Sequence, residues 1–341
     1  MNADAQVEAR REEPDKSMSS NSTGRFGGIN KVLRLDRLAG LYLWLILIVA
    51  FSIWMPDTFA TTANVRTIAG GYAVTAIVAI GLILPLAADV FDLSVAATLG
   101  FAACLVLELQ GNGINAAVAV LITFIVGLAI GAVNGLLVVR FHMNSFIATL
   151  GMSSIVLALT LWLTGGQQVF QGVSENFVAW GQKNIWGIPA PVFYLVAIAA
   201  IVWYVLEFTP AGRYIYGTGG NRQAARLAGV RVDRVIFASL TMSSAIAAIA
   251  GIVLAARLGA ASPEQGSAYL IPAFTAVFLG ATQFKASRFN VLGTLVAVYL
   301  LATGVTGIQL AGAESFVPDL FNGLALIVAV AIASSRGKGR R

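Results

Sequence analysis

Few side chains in this chain could do catalytic chemistry. The sequence holds one histidine, His142, close to Arg140, and one cysteine, Cys104, within an apolar run. A single cysteine excludes a disulfide framework and a cysteine-ligated metal site. The sequence also lacks a nucleophile–histidine–carboxylate set, an H-E-x-x-H motif and a G-x-x-x-x-G-K-S/T loop. We therefore expect no catalytic residues, no metal site and no nucleotide site on this chain.

The segment 209–234 is the polar stretch whose residue types and spacing point most clearly to a role. It has the sequence TPAGRYIYGTGGNRQAARLAGVRVDR, with five arginines against one acid, Asp233. Its glycines lack the βαβ context of a dinucleotide-binding loop. Asn221 is typical of a helix cap and Gly229 of a helix end. We interpret the segment as a short capped helix that docks on a partner. A positive-inside topology anchor explains the arginines but not the Gly-Gly-Asn cap.

The elements that position these residues are predicted to lie in a membrane. Of the 341 residues, 58% are apolar and 11% are charged, and the mean hydropathy is +0.82. Soluble domains average about 45–50% apolar and about 25% charged residues, so this composition excludes a soluble globule. The high apolar content also excludes disorder for most of the length. We expect one all-α, polytopic membrane domain.

A membrane-crossing helix needs roughly 20 mostly apolar residues. The segments that meet or approach this pattern are 38–55, 68–88, 93–109, 114–139, 146–164, 191–208, 235–256, 269–282, 291–310 and 317–333. They predict a helix bundle of about ten transmembrane helices over 38–333. We expect a disordered cytoplasmic tail at 1–37, without a signal peptide, and a basic cytoplasmic tail at 334–341. Segment 269–282 contains Pro272 and is too short to cross upright, so an incomplete span or half of a broken helix is expected.

The net charge of +6 is explained by topology rather than by nucleic-acid binding. Nineteen of the 22 basic residues lie in the two terminal tails and in alternate loops between the predicted spans. Only Arg66, Lys183 and Arg257 lie in the other loops. Basic residues concentrate on the cytoplasmic side of membrane proteins. This distribution predicts ten spans, or another even number, with both termini cytoplasmic.

The small residues of the spans indicate how the helices pack, and the scarcity of acids in them bears on the energy source of transport. Gly127, Gly131 and Gly135 recur every four residues, which favours tight helix packing, with a dimerisation seam as the alternative. Gly81 and Pro85 are expected to loosen or break the second span. Acids and histidines are nearly absent from the spans. That absence weighs against an ion-coupled carrier, although sodium sites built from carbonyl groups stay open.

Several stretches resemble the permease subunits of ribose/xylose/galactoside-type sugar importers of the ATP-binding-cassette (ABC) class. The segment GRYIYGTGGNRQAARLAGVRV looks like the coupling segment of that family, and AIGLILPLAADVFDLSVAATLG resembles its G-I-D-L-S-V-G region. NSFIATLGM at 144–152 and FLGATQFKASRFNVLGTLVA at 278–297 also match. The resemblance extends from about residue 40 to 333 and implies a type II ABC importer-like fold.

The resemblance implies a transport subunit rather than an enzyme. In such importers two permeases, expected here as a homodimer, form the pathway in the bacterial inner membrane. Two cytoplasmic ATPase subunits dock beneath them, and an extracytoplasmic binding protein delivers the sugar. ATP and magnesium then belong to the partner subunits, so no cofactor is expected on this chain. A pentose-like or hexose-like sugar is the implied cargo.

The resemblance also suggests which residues carry these contacts. The expected ATPase-coupling residues are Gly219, Gly220, Asn221, Ala224, Ala225, Arg226, Leu227 and Gly229. The candidate substrate-pathway residues are Asp89, Asp92, Ser94, Asn144, Thr149 and Ser153. The two acids could equally be solvated at a cytoplasmic turn, and the residues of the fifth span could serve interhelical hydrogen bonding. The loop 165–190, with Trp180 and Trp186, is either an outer docking surface or a set of interfacial anchors.

Three other functions compete with this interpretation. An ABC permease for branched-chain amino acids shares the broad fold and differs in its binding protein. An ion-coupled secondary carrier would transport without ATP. A membrane enzyme is the remaining option, and the missing catalytic set argues against it.

Overall fold

The computed structural model describes residues 35–285 and 288–338, and most of these residues are in helices. In chain order the helices are α1 (Leu35–Trp54), α2 (Thr62–Gly71), α3 (Ala73–Ala87), α4 (Val95–Gly111), α5 (Ala116–Arg140), α6 (Ser145–Thr164), α7 (Glu175–Gln182), α8 (Ala190–Phe208), α9 (Pro210–Gly220), α10 (Arg222–Leu227), α11 (Val232–Leu258), α12 (Leu270–Gly280), α13 (Val291–Leu310) and α14 (Val317–Lys338). A 3₁₀ helix, Gln265–Tyr269, precedes α12. A small antiparallel hairpin pairs β1 (Asn184–Ile185) with β2 (Ile188–Pro189).

The predicted all-α, polytopic membrane bundle is confirmed. In the described part of the chain, six helical stretches are long and apolar enough to cross a membrane. They are Thr62–Ala87, Ala116–Arg140, Ser145–Thr164, Ala190–Phe208, Val232–Leu258 and Val291–Leu310. Shorter apolar helices cover Leu38–Trp54, Val95–Gly111 and Val317–Ala331. Each of these stretches overlaps one of the predicted spans.

The second predicted span is interrupted at a different place from the one expected. The helix pauses at Tyr72, between α2 and α3, and then runs without a break through Gly81 and Pro85. Gly81 gives room to a neighbour, because a Cβ there would lie 3.1 Å from Ile246 Cγ2. Pro85 stands in the last turn of α3, where the helix ends within a few residues. The expected break at Gly81 and Pro85 is therefore wrong.

The eighth predicted segment is short, as its length and Pro272 indicated. Helix α12 has eleven residues, so it rises about 16 Å, roughly half of a bilayer core. The turn that follows is held by Asn290, whose Oδ1 accepts a hydrogen bond from Gly293 N–H at 2.7 Å and whose Nδ2 donates to Gly280 O at 3.2 Å. Asn290 thereby ties the end of α12 to the start of α13.

Helix α11 lies at the centre of the bundle and packs against α3, α4 and α5. The glycines of α5 face it. A Cβ added at Gly127 would lie 2.3 Å from Ala248 Cβ, and one added at Gly131 would lie 2.7 Å from Thr241 Cα. Gly135 approaches Phe237 in the same way. The expected tight packing is confirmed. The alternative dimerisation seam is wrong, because this glycine face is already filled within one chain.

The predicted terminal tails lie largely outside the described residues. Residues 1–34 and 339–341 are among those not described. Helix α14 extends to Lys338, so most of the segment predicted as a tail from 334 onward continues the last helix. The described residues from Arg37 onward form one compact unit.

The glycine face of α5 gives a stability prediction. Replacing Gly131 with alanine forces a methyl group against the α11 backbone, and overpacking of this kind costs about 1–3 kcal/mol. We expect Gly131→Ala to lower the melting temperature of the detergent-solubilised protein clearly. Gly151 on α6 is the matched control, since a Cβ there meets nothing within 4 Å. An equal loss of melting temperature in Gly151→Ala would contradict the role assigned to this seam.

Candidate functional site

The short helix predicted after Asn221 is present and is capped as expected. Asn221 adopts an extended conformation between α9 and α10, and its Oδ1 accepts hydrogen bonds from Gln223 N–H and Ala224 N–H, each at 3.0 Å. Such a cap satisfies two of the amide groups that a helix start leaves unpaired. Gly229 has a φ of +82°, the left-handed conformation that glycine adopts most easily. The six-residue α10 is thus delimited on both sides by its own sequence.

One face of α10 packs on the protein and the other is open. Ala225 is buried, whereas Leu227 is 91% exposed. Gly220 also faces open space, since a Cβ there would meet nothing within 4 Å. Gly219 differs, because its Cβ would lie 2.1 Å from the carbonyl oxygen of Ala87 at the end of α3. Gly219 therefore serves internal packing, while Gly220 and Leu227 are available to a partner.

Two arginines fasten α10 to the bundle. The Arg222 guanidinium donates a hydrogen bond to the backbone carbonyl of Asp89 at 2.6 Å and lies 3.7 Å from its carboxylate. The Arg226 guanidinium donates to Asp233 Oδ1 at 2.9 Å. Asp89 follows the end of α3, and Asp233 stands in the first turn of α11. Helix α10 is therefore linked to the ends of two membrane helices.

A second set of contacts joins α9 to the turn between α12 and α13. The Tyr216 hydroxyl donates to the carbonyl of Phe289 at 2.7 Å. The Arg288 guanidinium lies over the Tyr216 ring, 3.6 Å from its centroid, in a cation–π contact. Glu207, near the end of α8, pairs with both Lys285 and Arg288. The arginine-rich segment 209–234 and this turn therefore form one connected polar layer at the same end of the bundle.

A cavity of about 710 Å³ opens beside α10 at this end. Its walls include Asp89, Asn144, Arg222 and His142. His142 has a φ of +55°, and its Nδ1 lies 2.8 Å from the carbonyl oxygen of Val139. His142 is thus a turn residue, as expected. In the described part of the chain no group of three or more His, Cys, Asp or Glu side chains could hold a metal ion.

Asp92 lies in a buried polar cluster at the α3–α4 turn. It is fully buried, and its Oδ1 accepts hydrogen bonds from Ser94 N–H at 3.1 Å and Ser94 Oγ at 2.6 Å. Asn134 Nδ2 of α5 donates to Ser94 Oγ at 2.8 Å. Burial raises the pKa of the Asp92 carboxyl, and the hydrogen bonds from Ser94 partly offset that rise. The cluster joins the α3–α4 turn to α5 and α11.

Several oxygen atoms of this cluster have no hydrogen-bond partner among the described residues. They are Asp92 Oδ2, Asn134 Oδ1, Ser243 Oγ and Ser244 Oγ. Burial without a neighbouring cation disfavours the charged carboxylate, which is the physical cause of the raised pKa of Asp92. Asp92 and Asp89 consequently differ, although three positions separate them: Asp89 is exposed and paired, whereas Asp92 is enclosed.

The polar residues of the fifth span have separate surroundings. Asn144 caps α6, accepting from Phe146 N–H at 2.9 Å. Thr149 is fully buried, donates to the Ser145 carbonyl at 2.8 Å and accepts from Leu93 N–H at 3.1 Å. Ser153 is half-buried. The structure thus brings Thr149 to the Asp92 turn, brings Asn144 to the cavity beside Asp89, and leaves Ser153 further along α6.

The loop 165–190 is ordered on the opposite end of α11. Gly181 of α7 packs closely on the backbone of Ala256 and Arg257, and Gln182 Nε2 donates to the Arg257 carbonyl at 3.0 Å. Trp186, at the tip of the β1–β2 hairpin, is 91% exposed and projects from this surface. Both readings of the loop, docking surface and interfacial anchor, are compatible with that position.

Sequence reasoning missed some residues that the structure places in these sites. Asn134 was hidden inside the glycine run of α5, and Ser243 and Ser244 inside the small-residue run of α11. The signal that could have identified them is that each is a polar residue in the middle of an apolar span. Tyr216, Glu207 and Arg288 gave no local pattern, because their contact joins segments about 70 positions apart in the sequence.

The described residues form a bundle of apolar helices with a capped, exposed helix between two spans, which is the fold of a polytopic membrane protein. The family model described as "Branched-chain amino acid transport system / permease component" matches residues 64–333. The chain therefore belongs to this family, whose members are permease subunits of ABC importers and not enzymes. It is a multi-pass protein of the inner membrane.

Several individual proteins are similar to this chain over most of its length. The ribose import permease protein RbsC of Escherichia coli (strain K12) is 32% identical over 291 residues, which cover 84% of this chain and 91% of the relative. The same protein of Bacillus subtilis (strain 168) is 32% identical over 87% of this chain and 91% of its own. The L-arabinose transport system permease protein AraH of E. coli (strain K12) is 30% identical over 95% of this chain and 99% of the relative. No solved structure matches the chain.

The Asp92 cluster gives a second prediction. Asp92→Asn keeps an acceptor for Ser94 and mimics the neutral acid, so the melting temperature of the solubilised protein should stay near that of the wild type. Asp92→Ala leaves the Ser94 donors unpaired, at about 1–3 kcal/mol for each buried group, and should lower it clearly. Asp89→Asn, at an exposed position, is the control and should change little. Equal losses in Asp92→Asn and Asp92→Ala would show that the carboxylate charge itself is needed.

Proposed function

We propose that this chain is the membrane pathway of an importer that takes up a sugar delivered by an extracytoplasmic binding protein. In this proposal ATP hydrolysis on partner subunits drives the transport. The observation that carries the proposal is α10, a capped six-residue helix with Leu227 and Gly220 open to a partner. Relatives named for ribose, allose and arabinose transport support a sugar as the cargo.

The proposed ATPase contact is the segment 219–229. Asn221, Arg226 and Gly229 hold the shape of the helix, Gly219 and Ala225 pack it on the bundle, and the outer face is presented by the exposed residues. These exposed residues are Gly220, Ala224 and Leu227. An exposed leucine surrounded by small residues fits a groove on a partner, because apolar side chains without neighbours gain most from burial.

ATP and magnesium are assigned to the partner subunits. The sequence has no phosphate-binding loop, so energy must enter through a protein contact. Movement of α10 with the ATPase pair would shift the bundle between outward-open and inward-open packings. A shift of this kind requires that each nucleotide state favour one packing over the other.

The proposed orientation places both termini and α10 in the cytoplasm. It rests on the basic residues, which concentrate around α10 and the α12–α13 turn. The loop 165–190 would then face the binding protein. A second copy of the chain is the proposed partner in the membrane, with α6 lining the pathway between the copies, because the face of α6 that carries Leu150 and Ile147 is exposed.

The proposed contributions to the substrate pathway differ among the candidate residues. Ser153, on α6, is half-buried and suits transient hydrogen bonding to a sugar hydroxyl. Asp92, Ser94 and Thr149 are enclosed, so their proposed role is to fix the α3–α4 turn against α6. Asn144 and Asp89 line the cavity beside α10, where a sugar would leave on the cytoplasmic side.

The coupling contact can be tested with paired leucines. Leu227→Asp should weaken binding to the partner ATPase about 30-fold, because loss of an interface hot spot costs about 2 kcal/mol. Co-purification and ATP-driven uptake should fall together while membrane insertion stays normal. Leu258→Asp, at the far end of α11, is the control and should retain ATPase binding. Normal coupled uptake by both Leu227→Asp and a Gly220→Phe variant would refute the assignment of 219–229.

The cargo and the energy source can be tested in reconstituted vesicles. Vesicles that contain the permease, its ATPase and its binding protein should take up a radiolabelled pentose or hexose only when ATP is present on the side of the membrane that carries the ATPase. Uptake should persist when ionophores collapse the ion gradients. Leucine uptake in place of sugar uptake would favour the branched-chain amino acid alternative, and loss of uptake with ionophore would favour an ion-coupled carrier.

A further inference from the structure

A groove of about 590 Å³ lies beside the connection between α10 and α11, and none of its lining residues belongs to the cavity beside Asp89 and Asn144. It runs between α8, α9 and α11, and Leu84 of α3 also lines it. Arg231 and Arg234 line one part of it, and Val235, Ala238 and Met242 continue along the same side of α11. The groove therefore combines two cations with an apolar channel.

The apolar part of the groove reaches into the depth of the membrane helices. Met242 stands eleven positions after Arg231, a rise of about 16 Å along α11. Leu84, Val205 and Met242 all belong to helical stretches that are long and apolar enough to cross a membrane. A soluble partner cannot follow the groove to that depth, whereas an acyl chain can.

The two arginines of the groove are free in the described part of the chain. Arg231 and Arg234 are exposed and make no ion pair or side-chain hydrogen bond there. The acid between them in sequence, Asp233, is engaged by Arg226 on the other side of α11. A guanidinium group binds a phosphate through two parallel hydrogen bonds. The charge at the mouth of the groove is thus available for an anionic head group.

A buried hydroxyl group lies below the arginines. Ser239 lines the groove and is only 2% exposed, and its Oγ has no hydrogen-bond partner among the described residues. It stands five positions beyond Arg234, about 7.5 Å deeper along the helix axis. A hydroxyl at that depth is in position to donate to an ester carbonyl beneath a phosphate.

We propose that this groove binds one anionic phospholipid of the cytoplasmic leaflet. The phosphate lies between Arg231 and Arg234, an ester carbonyl accepts from Ser239, and an acyl chain lies along Ala238 and Met242. Basic pockets between membrane helices on the cytoplasmic side recognise anionic lipids by this combination of charge and apolar surface. The site adjoins the end of the proposed ATPase contact, because Gly229 lines the groove, but it shares no lining residue with the cavity beside Asp89 and Asn144.

The proposal can be tested on the full-length protein by native mass spectrometry. Dioleoylphosphatidylglycerol and dioleoylphosphatidylcholine are added to the delipidated permease, alone and assembled with its ATPase. We expect phosphatidylglycerol to be retained, and the double variant Arg231→Gln/Arg234→Gln to weaken its retention about tenfold or more, since two charge-assisted contacts are lost. Arg140→Gln/Arg213→Gln removes the same charge from outside the groove and should retain the lipid.

A third variant separates a lipid groove from a charged surface. Ala238→Trp fills the channel and leaves both arginines, so it should also reduce retention of phosphatidylglycerol. Equal losses in the two double variants would overturn the proposal, because general charge would then explain the binding. Full retention in Ala238→Trp would overturn it as well. Displacement of the lipid when the ATPase binds would identify Arg231 and Arg234 as part of the ATPase contact instead.

Discussion

The close approach of α11 to α3, α4 and α5 is the constraint on which the rest of this structure depends. Lipid offers helices little hydrophobic gain from association, so van der Waals contact has to hold them together. Small residues permit that contact: Gly127 and Gly131 on α5, and Gly251 on α11, whose Cβ would lie 2.3 Å from the Leu99 carbonyl oxygen. Because α11 fits only when these surfaces stay small, the position of everything attached to its ends is fixed as well.

The functional elements are placed by that central helix. Its N-terminal end carries Asp233, which holds α10, and also the two arginines of the proposed lipid groove. Its middle carries Ser243 and Ser244, which face the Asp92 cluster. Its C-terminal end supports α7 and the loop with Trp186. One helix thus connects the proposed ATPase contact, the polar turn between α3 and α4 and the opposite surface of the bundle.

Much of this architecture could be predicted from sequence, for physical reasons that are local. Runs of apolar residues identify the membrane helices. The start and the end of α10 depend only on Asn221 and Gly229. That α12 is short was predicted from the limited length of the apolar segment 269–282 and from Pro272. The pause at Tyr72 was not predicted, although the two glycines directly before it, Gly70 and Gly71, are residues that weaken a helix. The burial of Asp92 beside the exposed Asp89 could not be predicted, because it depends on tertiary contacts: Asn134 binds Ser94 next to Asp92, and Arg222 pairs with Asp89.

The attachment of α10 has a mechanical consequence. A six-residue helix with a side-chain cap at one end and a fixed glycine turn at the other is too short to bend, so it behaves as a stiff lever rather than a spring. Its two anchors lie at the ends of different membrane helices: Asp89 follows the end of α3, and Asp233 is in the first turn of α11. A force applied to α10 would therefore act on α3 and α11 together.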